Sequence, residues 1–269
     1  MYKENLVLLV DAILMGAVFF YILFDSFSLL PSRRFIHYLL SFINGSSAIC
    51  KYMMYDGILM IKSRDGYMVR GAEYLDWIFT VPSMLVVVGT MGRFPYPSIF
   101  VLCCLDIFMN VCGLLGAYTC GISRWIYFTM GCFFFLPQWI FFLYDFDYGL
   151  VQKYFGEQVA KKYFCTGRYL FLSRMVFPII WVLEVSRAIP YFTALVMFSI
   201  MGLIAKVGLS FWVLACLHES TNPENDNFFL ETSLEREENA LSVIRSSKSN
   251  SNHSSPRSDK KDNNEQILQ

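Results

Sequence analysis

The chain has 269 residues, of which 55% are hydrophobic, 17% aromatic and only 16% charged. A soluble domain carries about 45–50% apolar and about 25% charged residues, so this is a membrane composition; the mean hydropathy is +0.44. The 22 basic and 22 acidic residues cancel and no basic block stands out, which argues against a nucleic-acid partner. Eight cysteines lie mostly inside apolar runs without a CxxC pair, so neither a metal site nor a disulfide framework is expected.

A membrane-spanning helix needs about 20 mostly apolar residues. Seven stretches qualify in chain order, 6–24, 35–61, 68–89, 98–118, 125–144, 169–185 and 191–217, and predict an all-α bundle of seven transmembrane helices. The first is too long for a plain signal-peptide core and no small-residue cleavage site follows it, so it is expected to be retained. Short connections such as Gly-Arg-Phe-Pro-Tyr-Pro at 92–97 and Thr-Cys-Gly-Ile-Ser at 119–123 predict antiparallel neighbours. Loop arginines and lysines favour an outside N-terminus and a cytoplasmic C-terminus by a single residue, a weak bias. The predicted domains are 1–217, the helical bundle, and 218–269, a polar and mostly disordered tail. In that tail Leu230, Leu234, Leu241 and Ile244 have a/d spacing; they read either as a short marginal helix or as a docking helix. Ser-Ser-Pro-Arg at 254–257 permits phosphorylation, a match that a Ser-rich tail also produces by chance.

Ionisable residues at membrane depth are the informative ones, because each costs at least about 2.5–3.5 kcal/mol at a helix centre. They are Asp11, Lys51, Asp76, Asp106, Arg174, Glu184 and Lys206, with Glu184 set aside as near enough to its helix end to reach the interface. Lys206 is the only charged residue between Tyr191 and Leu217. At 1.5 Å per residue it lies about 22 Å from one end and about 17 Å from the other, too deep to snorkel. A desolvated lysine is a good nucleophile toward a carbonyl; the alternative is a plain ion pair with Asp106 or Asp76. In Glu73-Tyr74-Leu75-Asp76-Trp77-Ile78-Phe79-Thr80-Val81-Pro82, helical spacing stacks Glu73, Asp76 and Thr80 on one face. That face reads as a proton acceptor with a hydroxyl to orient it or relay its proton, or as an ordinary interfacial belt.

These segments resemble a known family. Tyr74 through Pro82 is similar to the third-helix signature of the microbial (type I) rhodopsins, and Ala205-Lys206-Val207-Gly208 to their retinal-lysine segment. Leu14-Met15-Gly16 resembles the first helix, and Asp106, Met109, Gly113 and Gly116-Ala117 the fourth. Phe177-Pro178-Ile179-Ile180-Trp181 resembles the sixth. The resemblance covers about residues 6–217 in order. It implies all-trans retinal bound as a Schiff base on Lys206, with Asp76 as counterion and proton acceptor. Trp77, Thr80, Met109, Gly113, Phe128, Phe135, Phe177, Pro178 and Trp181 would surround the polyene.

Four departures bear on mechanism. Where the family's pumps carry a second aspartate one turn before the lysine, this chain has Gly202; where they carry an arginine three residues before the counterion, it has Glu73. The pocket tryptophan is replaced by Arg174, and the proton donor eleven residues after the counterion by Val87. The expected charge balance is Schiff base and Arg174 against Asp76 and Glu73, which makes Glu73 a secondary counterion candidate and puts Arg174 in the site. Without a donor carboxylate, reprotonation should be slow, which suits passive ion conduction or signalling. A slow light-driven proton pump is one alternative. The other is an opsin-related membrane protein without photochemistry, if Arg174 obstructs the polyene. The expected partners are retinal, the lipid bilayer and protons or small cations; an enzyme activity is not expected. Homo-oligomerisation and a signalling partner at the tail are left open.

Overall fold

The computed structural model describes residues 2–29 and 34–219. From residue 220 onward the tail lies outside the described residues, and with it the 230–244 segment and the Ser-Ser-Pro-Arg motif. The helices are α1 (Tyr2–Phe27), α2 (Arg34–Tyr55), α3 (Gly71–Met91), α4 (Tyr96–Tyr118), α5 (Ile122–Asp145), α6 (Tyr148–Phe155), α7 (Glu157–Val185), α8 (Tyr191–Leu203) and α9 (Leu209–Glu219). One π-helical turn, Ile204–Gly208, joins α8 to α9 without a break, so the described residues form seven long rods and one short connecting helix. α6 begins where the Asp147 side chain accepts a hydrogen bond from the Leu150 amide at 2.8 Å.

Chain neighbours pack against one another around the bundle, and α8 returns to α1. Large apolar side chains point outward all around: Phe100 and Phe133 are each 70% exposed. A helix apolar on its outer face has lipid as its natural solvent. Five rods are long and apolar enough to cross a membrane by length and composition. The other two, α2 and α7, have the length but carry polar or charged residues turned inward, among them Asn44, Ser47 and Lys51 on α2 and Arg174 and Glu184 on α7. Two larger apolar clusters fill most of the interior, beside a small third one of Leu8, Met54, Ala72 and Leu195. One gathers Ile22, Leu40, Val87, Phe142 and Phe171; the other gathers Tyr74, Trp181 and Phe198 beside the α2–α3 connection.

That connection differs from expectation. The apolar stretches 35–61 and 68–89 each run into a strand of a hairpin, β1 (Met60–Lys62) and β2 (Met68–Arg70), with Ile61 opposite Val69. Hydropathy is continuous across Ile58–Ile61 and Met68–Val69, so composition does not mark the boundary. Gly57 (φ 75°) and Gly66 (φ 80°) do, because their left-handed backbone ends α2 and turns the hairpin. The sixth rod also starts earlier than the apolar stretch at 169, since its first turns carry Lys161 and Lys162 and face water. Of the cysteines, Cys50, Cys112 and Cys216 are buried, whereas Cys120 and Cys165 are exposed.

The hairpin tip is fastened to the bundle by ion pairs. Arg124 donates to Asp65 Oδ2 at 2.8 Å and to the Val185 carbonyl at 3.0 Å, and Ser63 donates to Asp65 Oδ1 at 2.7 Å. The Ser63 hydrogen bond, with Arg124, holds the Asp65 carboxyl below its usual value. A depressed native pKa contributes stability above the unfolded value, about 3.9, which is lost as pH falls through the lower folded value. The difference in Tm between the parent and Asp65→Asn should therefore stay constant from neutrality down to about pH 4 and close below it. A gap that closes above pH 6 would show that other groups set it.

Candidate functional site

The site is built where the two apolar clusters meet. Lys206 projects from the π turn and is 3% exposed. A π turn widens the helix and strands a carbonyl; here Tyr169 of α7 donates its hydroxyl to the Ile204 carbonyl at 2.5 Å. Gly208 permits this contact, because a Cβ there would stand 2.8 Å from the Tyr169 hydroxyl. Lys206 Nζ donates to Asp76 Oδ2 and, at 2.7 Å, to Ser47 Oγ. Ser47 in turn donates to Asp76 Oδ1 at 2.7 Å, closing a three-membered ring of lysine, carboxylate and hydroxyl from α9's approach, α3 and α2. Of the two ion-pair partners open to Lys206 on sequence grounds, Asp76 is the one engaged.

Lys206 also lines a cavity whose wall is mostly apolar. Of the residues expected there, Trp77, Met109, Gly113, Phe128, Phe135, Arg174, Phe177, Pro178 and Trp181 all line it. Phe128 stacks on Trp181 with centroids 5.4 Å apart and planes 8° apart, and Trp77 meets Phe177 edge-on at 5.8 Å. Trp181 is held from behind, its indole nitrogen donating to the Tyr74 hydroxyl at 2.7 Å. Asp76, Thr80 and Glu73 are not on the wall. Thr80 donates to the Asp76 main-chain carbonyl at 2.7 Å, a helical back-bond, so its hydroxyl does not engage the carboxylate; Ser47 does. An apolar cavity of aromatic walls with one buried amine opening onto it fits an elongated apolar aldehyde such as retinal.

The charge arrangement corrects the sequence expectation. Arg174 does not balance Asp76 and Glu73: its guanidinium pairs with Asp106 and donates to Gln138 Oε1 at 2.8 Å, over the Phe135 ring. Asp106 also accepts from Asn110 Nδ2 at 2.9 Å. The guanidinium is thus held against Asp106 and Gln138 at the cavity wall. Glu73 is not seated against Lys206. Its Oε2 accepts from Arg70 Nε at 2.7 Å, and its Oε1 lies 3.6 Å from Lys51 Nζ. Glu184, set aside as interfacial, is buried and lies 2.7 Å from Arg70 Nη1, with Tyr67 donating to it as well. Eight of the interior charges therefore fall into three groups, Lys206 with Asp76, Arg174 with Asp106, and Arg70 and Lys51 with Glu73 and Glu184, while Asp11, also buried, belongs to none of them.

Ser47, Arg70 and Gln138 were missed from sequence. Arg70 was findable, since it stands three residues before Glu73 and i,i+3 pairs face each other. Ser47 was findable as one of five polar residues at helical spacing on α2. Gln138 offered no such signal. At the departures, Val87 is fully buried in apolar surroundings, and a Cβ on Gly202 would meet Met15 at 3.8 Å, with no carboxylate supplied there.

The sequence profile of the family described as "Bacteriorhodopsin-like protein" matches residues 3–220. The opsin-like protein carO of Fusarium fujikuroi is 26% identical over 186 residues, which are 64% of this chain and 60% of that relative, so the match spans about three-fifths of the relative's length. Sensory rhodopsin-2 of Halobacterium salinarum is 30% identical over 38% of this chain and 42% of its own length. Cyanorhodopsin from Calothrix sp. superposes with a TM-score of 0.75 over 81% of this chain and 98% of its own, at 21% identity. The light-driven proton pump rhodopsin of Coccomyxa subellipsoidea does so with a TM-score of 0.72 over 79% and 96%, at 24% identity. With the profile matched over the whole helical bundle, the chain belongs to the bacteriorhodopsin-like family, the microbial rhodopsins, and is a multi-pass integral membrane protein.

Proposed function

We propose that the chain is a light-activated retinal protein in which Lys206 carries all-trans retinal, and that its output is passive ion conduction or signalling. The observation that carries this reading is the buried Lys206–Asp76–Ser47 ring opening onto an aromatic cavity. Retinal bound at the Lys206 nitrogen would supply visible absorption and a light-driven change of shape. The protein does the rest. Asp76 holds negative charge against the nitrogen, and Ser47 bridges the two so that a proton can pass between them. Trp77 and Trp181 confine the polyene, and the Arg174–Asp106 pair sets the polarity of one wall. Membership of the family and the neutral charge groups support this assignment over an opsin without pigment.

Against fast pumping stands Val87, whose side chain can neither hold nor donate a proton. A slow proton pump remains the second reading because Asp76 is placed to accept a proton beside Lys206. The N-terminus is assigned to the outside on the loop charges alone. Expression with all-trans retinal and a visible spectrum tests the core of the proposal; no band would defeat it. Currents under voltage clamp then separate the outputs. Light current that reverses with the ion gradient means a channel and current of one direction a pump, whereas none means a sensor.

A further inference from the structure

The buried face of α2 divides into two adjacent rows. One is mainly apolar, with Ile36, Leu40, Ile43 and Met54. The other is polar along its length, with His37, Ser41, Asn44, Ser47 and Lys51, each at most 4% exposed. Spacings of three and four residues keep the five on one stripe, and at 1.5 Å per residue the stripe runs about 21 Å through the bundle. Five inward polar side chains on a spanning helix are costly unless they are joined to partners.

The stripe reaches both Lys206 and the bundle surface. At its midpoint Asn44 Nδ2 donates to Ser210 Oγ at 2.8 Å, and Ser210 donates to the Lys206 carbonyl at 2.8 Å. Away from the hairpin, His37 Nε2 lies 3.4 Å from Asp25 Oδ2, and the Asp25 side chain is 28% exposed in the last turn of α1. Between these points two buried atoms have no hydrogen-bond partner within the protein, Ser41 Oγ and Asn44 Oδ1. Buried polar atoms are almost always satisfied, by water where protein supplies nothing, and these two sit on one face three residues apart. The corresponding stretch of α3, with Met84, Val87 and Val88, is apolar throughout. Of these two helices, it is α2 that carries the polar row along the half of the bundle that leads from Lys206 to the Asp25 end.

We infer that Asp25 and His37 form a proton-exchange pair serving Lys206 through a hydrated file past Ser41, Asn44 and Ser210, in place of the carboxylate missing at position 87. The inference rests on the retinal reading above. Asp25 takes a proton from the medium and passes it to His37. His37 releases one proton to the water at Ser41 and Asn44, and the Lys206 nitrogen receives one from the file. Each station then returns to its starting charge, so one proton enters and one is delivered.

Two measurements test this on the full chain in lipid nanodiscs. In the retinal-free protein, the Asn44 side-chain amide should show a magnetisation-transfer cross-peak to bound water in NMR spectra, lost in Ser41→Val; its absence in the parent overturns the hydrated file. In the retinal-loaded protein, His37→Gln should slow recovery of the visible band after a flash at least tenfold. A small soluble weak acid such as azide should restore it, because it delivers protons without the pair. A band whose recovery is unchanged in His37→Gln overturns this inference alone. No band in the parent overturns the retinal reading and this inference together.

Discussion

Arg174→Leu is expected to lower stability by about 3–5 kcal/mol, because it leaves the buried Asp106 carboxyl with no cation. Asp106 is fully buried, and the Asn110 amide would remain as its hydrogen-bond donor. The double variant Arg174→Leu/Asp106→Leu should regain most of that loss, since replacing both members of a buried pair with apolar groups is close to neutral. Denaturant unfolding of the retinal-free protein in micelles measures both, together with Asp106→Leu alone. Additive losses would show that Arg174 and Asp106 do not act as a pair. The same variants bear on the cavity. Arg174→Trp, which restores the family's residue, should change the position of the visible band because a charge leaves the wall; an unchanged band would remove Arg174 from the site.

The second large effect belongs to Asp76. Asp76→Asn removes the negative charge beside Lys206 and leaves the amine with neutral partners, the Asn amide oxygen and the Ser47 hydroxyl, at a cost again of about 3–5 kcal/mol. Ser47→Ala removes hydrogen bonds but no charge and should cost about 1–3 kcal/mol. The order of these losses is the test: a Ser47→Ala loss that equals the Asp76→Asn loss would mean the ring is held by hydrogen bonds and not by charge. Lys206→Met should abolish the band completely, since no other amine lines the cavity among the described residues.

Much of this site could be read from the chain because membrane burial makes charge conspicuous. Lys206 stands out by being the only charged residue in a long apolar run, and its depth follows from rise per residue alone. The cavity wall was legible for a different reason: Trp77 on α3 and Phe177, Pro178 and Trp181 on α7 sit in local motifs that resemble those of the microbial rhodopsins, and that resemblance implied their place. Local motifs do not report who faces them. Arg174 and Asp106 are 68 residues apart in sequence, and nothing in either segment indicates that the guanidinium turns toward α4. A set of four charges could therefore sum to zero and still give Arg174 the wrong partners.

Glu184 shows the same limit from the other side. Its position near a helix end suggested an escape to water, but the hairpin β1–β2 brings Arg70 and Tyr67 over it and buries it. The hairpin was hidden by hydropathy, which does not separate an apolar strand from the apolar helix it adjoins.

From sequence alone came the seven-rod class, the lysine at the centre of the last rod and the aspartate on the third, because each depends on composition and spacing within a segment. Only the tertiary structure decided that Ser47 and not Thr80 joins that pair, that Arg174 answers to Asp106, and that the polar row of α2 is buried in the bundle. Those are contacts between rods, set by how helices rotate about their own axes when packed, and a few tens of degrees of rotation exchange one buried partner for another.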